Sequence, residues 1–299
     1  MLNWMLLLTC LLAGCGASDE VRVGSKSFTE SVILGEIITG QLKQNSIACQ
    51  HQSQLGGTRV LWEALLAGSI DVYPEYTGTL TQEILHQPRL DGASLRLHLF
   101  EKRIGMTGSL GFNNTYALGI RSDRARQLHL SKISQLKDYP DLRFGFGHEF
   151  LRRQDGWPHL QLSYGLPQTN VSGTDHDLAY AALAAGQLDL VDCYSTDAEI
   201  QHYNLVLLED DLEVFPRYNA VVLYRLDRGE LLRKPLEALE GRLNREQMSS
   251  LNRQVRLEHH REAEVAATWL GSVDPKSPGL VRRLLRTSLE HIRLVGFSL

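Results

Sequence analysis

The chain has little of what marks a disulfide scaffold, a nucleic-acid binder or a membrane-spanning protein. Its 299 residues include 4 cysteines, too few for a stapled framework. Cys10 and Cys15 fall near the start, while Cys49 and Cys193 fall in separate halves of the body and read as small buried side chains, the usual role of a free cysteine. Lys and Arg number 31 against 35 Asp and Glu, a net charge of −4, so the basic footprint of a nucleic-acid binder is missing. Past residue 14 no window holds the roughly 18 uncharged apolar residues that a spanning helix needs. The sequence also lacks a P-loop, a G-x-S-x-G elbow, an H-E-x-x-H zinc pair and a Cys-x-x-C pair. Gly145-Phe146-Gly147 has no third glycine for a dinucleotide fingerprint, and the adjacent His259 and His260 lack helical metal-ligand spacing. Asp175-His176-Asp177 opens a helix, where Asp serves as a cap. The expectation is a protein that is not an enzyme and carries no cofactor or metal.

The N-terminus is apolar from Met1 to Ala13 except at Asn3, Thr9 and Cys10, and runs into Leu12-Ala13-Gly14-Cys15 before Gly16-Ala17-Ser18-Asp19-Glu20. A short apolar stretch closing on small residues reads as a secretory signal. The Leu-Ala-Gly-Cys run resembles a bacterial lipobox, which implies cleavage before Cys15, lipidation of that residue and a membrane-held exported protein. No Lys or Arg precedes the apolar stretch, a departure from the usual signal.

What the chain does have is a repeat. Ala64-Leu65-Leu66-Ala67-Gly68-Ser69-Ile70-Asp71 leads to Tyr76, and Ala182-Leu183-Ala184-Ala185-Gly186-Gln187-Leu188-Asp189 leads to Tyr194, at a constant offset of 118 residues. Each copy reads as a helix end, a glycine stop and a short strand closing on a loop. Val21-Arg22-Val23-Gly24 and Leu142-Arg143-Phe144-Gly145 extend the echo, as do Gly57-Thr58 and Gly173-Thr174. Two similar α/β lobes that present aromatic rings from equivalent loops describe a ligand cleft. A 43% hydrophobic content over this length suffices for two cores.

Strand and helix signals alternate from Val21 onward, which implies βαβ units and a mostly parallel sheet covered on both faces. Ser27 and Glu30 have capping-box spacing ahead of a helix carrying Ile33, Leu34, Ile37, Ile38 and Leu42. Tyr116–Arg121 and Tyr218–Arg225 both read as strands that begin on Tyr and end on Arg, and they are the natural crossover pair between the lobes. The expected division is a signal over 1–15, a first lobe over 20–114, a second over 115–217, and a return to the first over 218–299. The last part is helical by pattern, through Leu236, Leu239 and Leu243 to Leu284, Leu285 and Leu289.

Tyr76 and Tyr194 on the lobe loops and Tyr116 and Tyr218 at the crossovers thus converge on one gap. Aromatic faces around a gap suit a quaternary ammonium, which donates no N–H hydrogen bond and is held by ring quadrupoles. Four desolvated contacts of about 1–2 kcal/mol each give about 4–8 kcal/mol, marginal against the roughly 8 kcal/mol of micromolar binding.

The chain is similar to the substrate-binding components of ABC importers for glycine betaine and related compatible solutes. The resemblance rests on Gly24-Ser25-Lys26-Ser27-Phe28-Thr29-Glu30, Leu55-Gly56-Gly57-Thr58, Tyr73-Pro74-Glu75-Tyr76-Thr77-Gly78-Thr79, Asn114-Thr115-Tyr116-Ala117-Leu118, Arg153-Gln154-Asp155-Gly156, Ser195-Thr196-Asp197 and Phe215-Pro216-Arg217-Tyr218-Asn219, in order across residues 21–225. It implies an α/β, two-lobe periplasmic-binding-protein fold (type II) with two crossover strands, a cage of Tyr76, Tyr116, Tyr194 and Tyr218, and ABC permease subunits as partners. It also implies that Lys26, Thr79 and Arg153 hold the solute's carboxylate, as a point charge, a hydroxyl and a planar fork; Arg152 stands beside Arg153 as an alternative. Lys26 precedes a helix N-terminus, which itself favours an anion. Ser31 stands where many relatives have Gln, and Asn114 where they often have Asp. A choline- or carnitine-type receptor, and a sensory module of the same fold, are the alternative functions.

Overall fold

A computed structural model describes residues 20–272. The signal and lipobox reading at 1–15 and the helical pattern at Leu284, Leu285 and Leu289 lie outside the described residues. Among the described residues no helix is long and apolar enough to cross a membrane.

The strands run β1 (Val21–Gly24), β2 (Cys49–Gln52), β3 (Val72–Tyr76), β4 (Ile104–Met106), β5 (Tyr116–Arg121), β6 (Phe144–Gly147), β7 (Val171–Thr174), β8 (Leu190–Tyr194), β9 (Leu205–Leu208) and β10 (Ala220–Arg225). They form two five-stranded sheets, ordered β2-β1-β3-β10-β4 and β7-β6-β8-β5-β9. Adding five to β1 through β3 converts the first half of one order into the other, so the sequence repeat is a repeat of topology. Successive residues of the first sheet face opposite cores. Val72 and Val222 join one apolar cluster, while Tyr73, Val221 and Leu223 join another with Leu61, Leu65 and Leu99. The second sheet divides likewise, Leu190 to one side and Val191 and Cys193 to the other.

The helix stops follow the repeat. The helices Thr58–Leu66 and His176–Ala184 precede Gly68 and Gly186, whose φ values of 73° and 72° are left-handed, a conformation glycine adopts without a Cβ penalty. The aspartate closing each repeat has one use. Asp71 takes a two-pronged bond from the Arg22 guanidinium of β1, with both distances 3.1 Å. Asp189 receives Arg143, just ahead of β6, at 2.9 and 3.2 Å.

Two expectations are corrected. The sheets are mixed rather than mostly parallel: β1 runs parallel to β2 and β3, but β10 lies antiparallel to β3 and β4, and β5 antiparallel to β8 and β9. The chain enters each sheet's fourth strand from the other lobe and therefore runs back along it. The strands β5 and β10 also lie wholly within the sheets. The crossings are the segments just before them, and these bond to each other: Asn113 bridges Asn219, and the Asn114 N–H donates to the Tyr218 carbonyl at 3.0 Å. Tyr218 belongs to this crossing, two residues ahead of β10.

Candidate functional site

A cleft of about 550 Å³ opens between the sheets, at the ends of β1, β3, β6 and β8, a volume in the usual range for a small-molecule site. Tyr76, Tyr116, Tyr194 and Tyr218 all line it. Their positions follow from register. Tyr116 opens β5 directly opposite Tyr194, the last residue of β8, so the two rings lie 5.4 Å apart. Tyr218 meets Tyr116 edge-on at 5.8 Å and 82°, within the range of favourable aromatic pairs. Tyr76 ends β3 on the other sheet opposite Ala220; its nearest aromatic partner is Phe28, 6.4 Å away. Phe150 backs Tyr116 at 4.8 Å. Burial, first of all, holds the four phenols above their ordinary pKa, so the rings are neutral.

Two of the rings and the backbone of a third tyrosine are anchored by carboxylates that the sequence does not assign to the site. The Tyr76 hydroxyl donates to Glu30 Oε1 at 2.6 Å, and the Tyr218 hydroxyl donates to Asp155 Oδ2. Asp197 Oδ2 accepts the Tyr194 backbone N–H at 2.8 Å and the Tyr180 hydroxyl at 2.6 Å, and pairs with His176 Nε2 at 3.0 Å. The His176 ring also contacts Tyr194 at 4.9 Å. Burial pulls the His176 pKa down, but hydrogen bonds and charge from Asp192 and Asp197 outweigh it, leaving it well above the ordinary value.

Lys26, Thr79 and Arg153 also line the cleft, whereas Arg152 is exposed and does not. Both cations already have partners. Lys26 Nζ bonds Glu75 Oε1 at 2.5 Å and Thr58 Oγ1 at 3.0 Å, with the Glu75 side chain fully buried. The Arg153 fork grips Asp155 at 2.8 and 2.7 Å and lies 3.8 Å from Glu83 of the other lobe. Burial works against ionising Asp155, yet the Arg153 fork and the Tyr218 hydroxyl overcome it and hold the carboxyl below its usual pKa. Lys26 and Arg153 also sit over Tyr76 and Tyr116, 5.7 and 5.8 Å from the ring centroids. Seven carboxylates line the cleft (Glu30, Glu149, Asp175, Asp192, Asp197, Glu199 and Glu262) against Lys26, Arg153, Arg256 and the His176 imidazolium, an excess that favours a positive ligand.

The capping-box reading of Ser27 and Glu30 is corrected. The helix Thr29–Gln44 has Phe28 at its N-cap and no side-chain cap, because Glu30 is turned away to four tertiary donors. Ser31 acts locally, where its hydroxyl accepts the Lys26 backbone N–H at 2.9 Å and fixes the turn that carries Lys26. Asn114 donates to Glu30 Oε1 at 2.9 Å; an aspartate there would set two carboxylates together.

Two mixed α/β lobes joined by a paired crossing, with an aromatic cleft between them, define a two-lobe solute-binding protein. The family described as the substrate-binding domain of ABC-type glycine betaine transport systems (OpuAC) matches residues 19–272, and the chain belongs to it. It is 31% identical over 264 residues to the carnitine transport binding protein OpuCC of Listeria monocytogenes, covering 83% of this chain and 85% of that one. It is 30% identical over 278 residues to a glycine-betaine-binding protein of Pseudomonas aeruginosa, covering 86% and 89%. Among solved structures, a glycine betaine/carnitine/choline ABC transporter protein matches with a TM-score of 0.75 at 26% identity, over 84% of this chain and 98% of that chain.

Proposed function

We propose that this chain is the extracytoplasmic receptor of an ABC importer, lipid-anchored through Cys15, and that it captures a quaternary-ammonium solute, glycine betaine foremost, for a membrane permease. The single observation that carries this reading is the convergence of Tyr76 from one lobe with Tyr116, Tyr194 and Tyr218 on one cleft. The ammonium sits among these rings, whose faces attract a desolvated cation. Glu30 and Asp155 accept hydrogen bonds from two of the hydroxyls and add negative potential behind the rings. The carboxylate is held by the Thr79 hydroxyl and by the donors of Lys26 and Arg153 not spent on Glu75 and Asp155. The lobes span 20–114 with the chain from 218 onward, and 115–217, so in the closed cleft Arg153 of the second lobe faces Lys26 and Thr79 of the first. Relatives named for glycine betaine and carnitine transport support the solute class.

A choline-type receptor is the second reading. It is favoured by the internal neutralisation of Lys26 by Glu75 and of Arg153 by Asp155, which leaves less net charge for a carboxylate. Calorimetry with glycine betaine, choline, carnitine and proline betaine decides between them. Glycine betaine is expected to bind more tightly than choline, and Arg153→Ala to shrink that preference, because buried donors without a carboxylate are costly. Choline binding as well or better transfers the assignment to the second reading, and no binding of any of the four overturns both.

A further inference from the structure

Glu30 is a buried carboxylate, 3% exposed, and is surrounded by donors from four parts of the chain. Its Oε1 accepts the Tyr76 hydroxyl at 2.6 Å and Asn114 Nδ2 at 2.9 Å; its Oε2 accepts the Thr196 hydroxyl at 2.6 Å and Asn252 Nδ2 at 3.0 Å. Tyr76 ends a strand of the first sheet, Asn114 lies in the crossing, and Thr196 follows β8 of the second sheet, two residues after Tyr194. Asn252 is on the helix Arg245–Arg256, which packs against the helix Thr29–Gln44 that carries Glu30.

The same helix makes two more contacts with the segment beyond Tyr194. Asn252 Nδ2 donates to the Thr196 carbonyl at 3.1 Å. One turn on, the Arg256 guanidinium reaches Glu199 Oε1 at 2.9 and 3.1 Å. Residues four apart share a helix face, so Asn252 and Arg256 meet the loop after Tyr194 and the start of the short helix Glu199–His202 from one side. Thr196 and Asn252 are 1% and 5% exposed, and water does not compete well for these bonds.

The geometry assigns Glu30, Thr196 and Asn252 to an inter-lobe latch that fixes the loop behind Tyr194 against the first lobe and so sets the population of the closed cleft. These are positioning residues. They bear on the solute through Tyr76 and Tyr194, and the latch requires only the two-lobe fold, whichever solute the cleft takes. A carboxylate fits the centre because every partner donates to it, and each oxygen accepts two bonds. Glu30→Gln would turn an NH₂ against one of the two asparagine amides, which cannot reverse role without flipping. A receptor gains closure from contacts made only in the closed state, and bonds of this kind slow opening more than they speed encounter.

Thr196→Val is the test variant, since it removes the donor while keeping charge and volume, and Thr196→Ser is its conservative rescue. Small-angle scattering of the ligand-free protein reads closure without any solute. Stopped-flow dissociation of glycine betaine or choline reads the latch in the loaded protein. Thr196→Val is expected to enlarge the ligand-free radius of gyration and raise the dissociation rate about ten-fold with the association rate held within about two-fold, the loss expected for a hydrogen bond to a charged acceptor. Thr196→Ser is expected to match the parent. Arg256→Gln, half-exposed at the edge of the same contact, is expected to shift both readouts in the same direction to a smaller extent, and serves if Thr196→Val does not fold. An unchanged radius and dissociation rate in a folded variant overturn the latch. A protein that binds none of the solutes but opens on Thr196→Val overturns the solute assignment and keeps the latch.

Discussion

Replacing Gly78 by alanine adds one methyl group where the packing leaves no room for it. A Cβ there would lie 2.5, 2.6 and 2.9 Å from Tyr218 Cδ1, Cε1 and Cγ, whereas carbon pairs rest at about 3.5–4.0 Å. The Tyr218 ring must therefore retreat by about 1 Å. Its edge-on contact with Tyr116 at 5.8 Å lies to one side, and its hydroxyl is tied to Asp155. Overpacking of this kind costs about 1–3 kcal/mol of stability, or about 2–4 °C in Tm for each kcal/mol. Losing one desolvated ring–cation contact costs about 2 kcal/mol, roughly thirty-fold in Kd. Calorimetric titration with the tightest of the four quaternary amines, alongside thermal unfolding, reads both effects. Tyr218→Leu removes the obstructing ring, so the two changes together should weaken binding by much less than the product of their separate effects. A Gly78→Ala protein that binds within two-fold of the parent would refute the reasoning, since Tyr218 would then contribute nothing where it stands.

Tyr116→Phe keeps the ring and is expected to change affinity little, while Tyr116→Ala should cost on the order of 1–2 kcal/mol; equal losses would point to the hydroxyl and sink the cage. His176 has a raised folded pKa, so its stabilising contribution is complete below the unfolded value of about 6.5 and declines as pH rises through the folded value. Urea unfolding should show the parent's advantage over His176→Gln shrinking toward alkaline pH, and a pH-independent gap would contradict the ion-paired imidazolium. Cys15→Ala is expected to move the protein from the membrane to the soluble fraction, and a variant that fractionates like the parent removes the anchor.

The amino-acid pattern by itself determined the two-lobe plan. A repeat at constant offset needs no tertiary information, and the glycine stops at Gly68 and Gly186 are local backbone facts with φ of 73° and 72°. The tyrosines are legible for the same reason: each lies at a strand end or crossing, where register alone turns a side chain toward the gap, as in the Tyr116–Tyr194 pairing. The charges in the cleft were decided only by the tertiary structure. Lys26 and Glu75 are 49 residues apart, and Glu30 meets Thr196 and Asn252 across 166 and 222 residues, separations over which spacing carries no signal. Local spacing makes Glu30 half of a capping box, yet burial leaves no water for its carboxylate. It takes whatever donors the packed lobes supply, because an unpaired buried charge is far more costly than an uncapped helix turn.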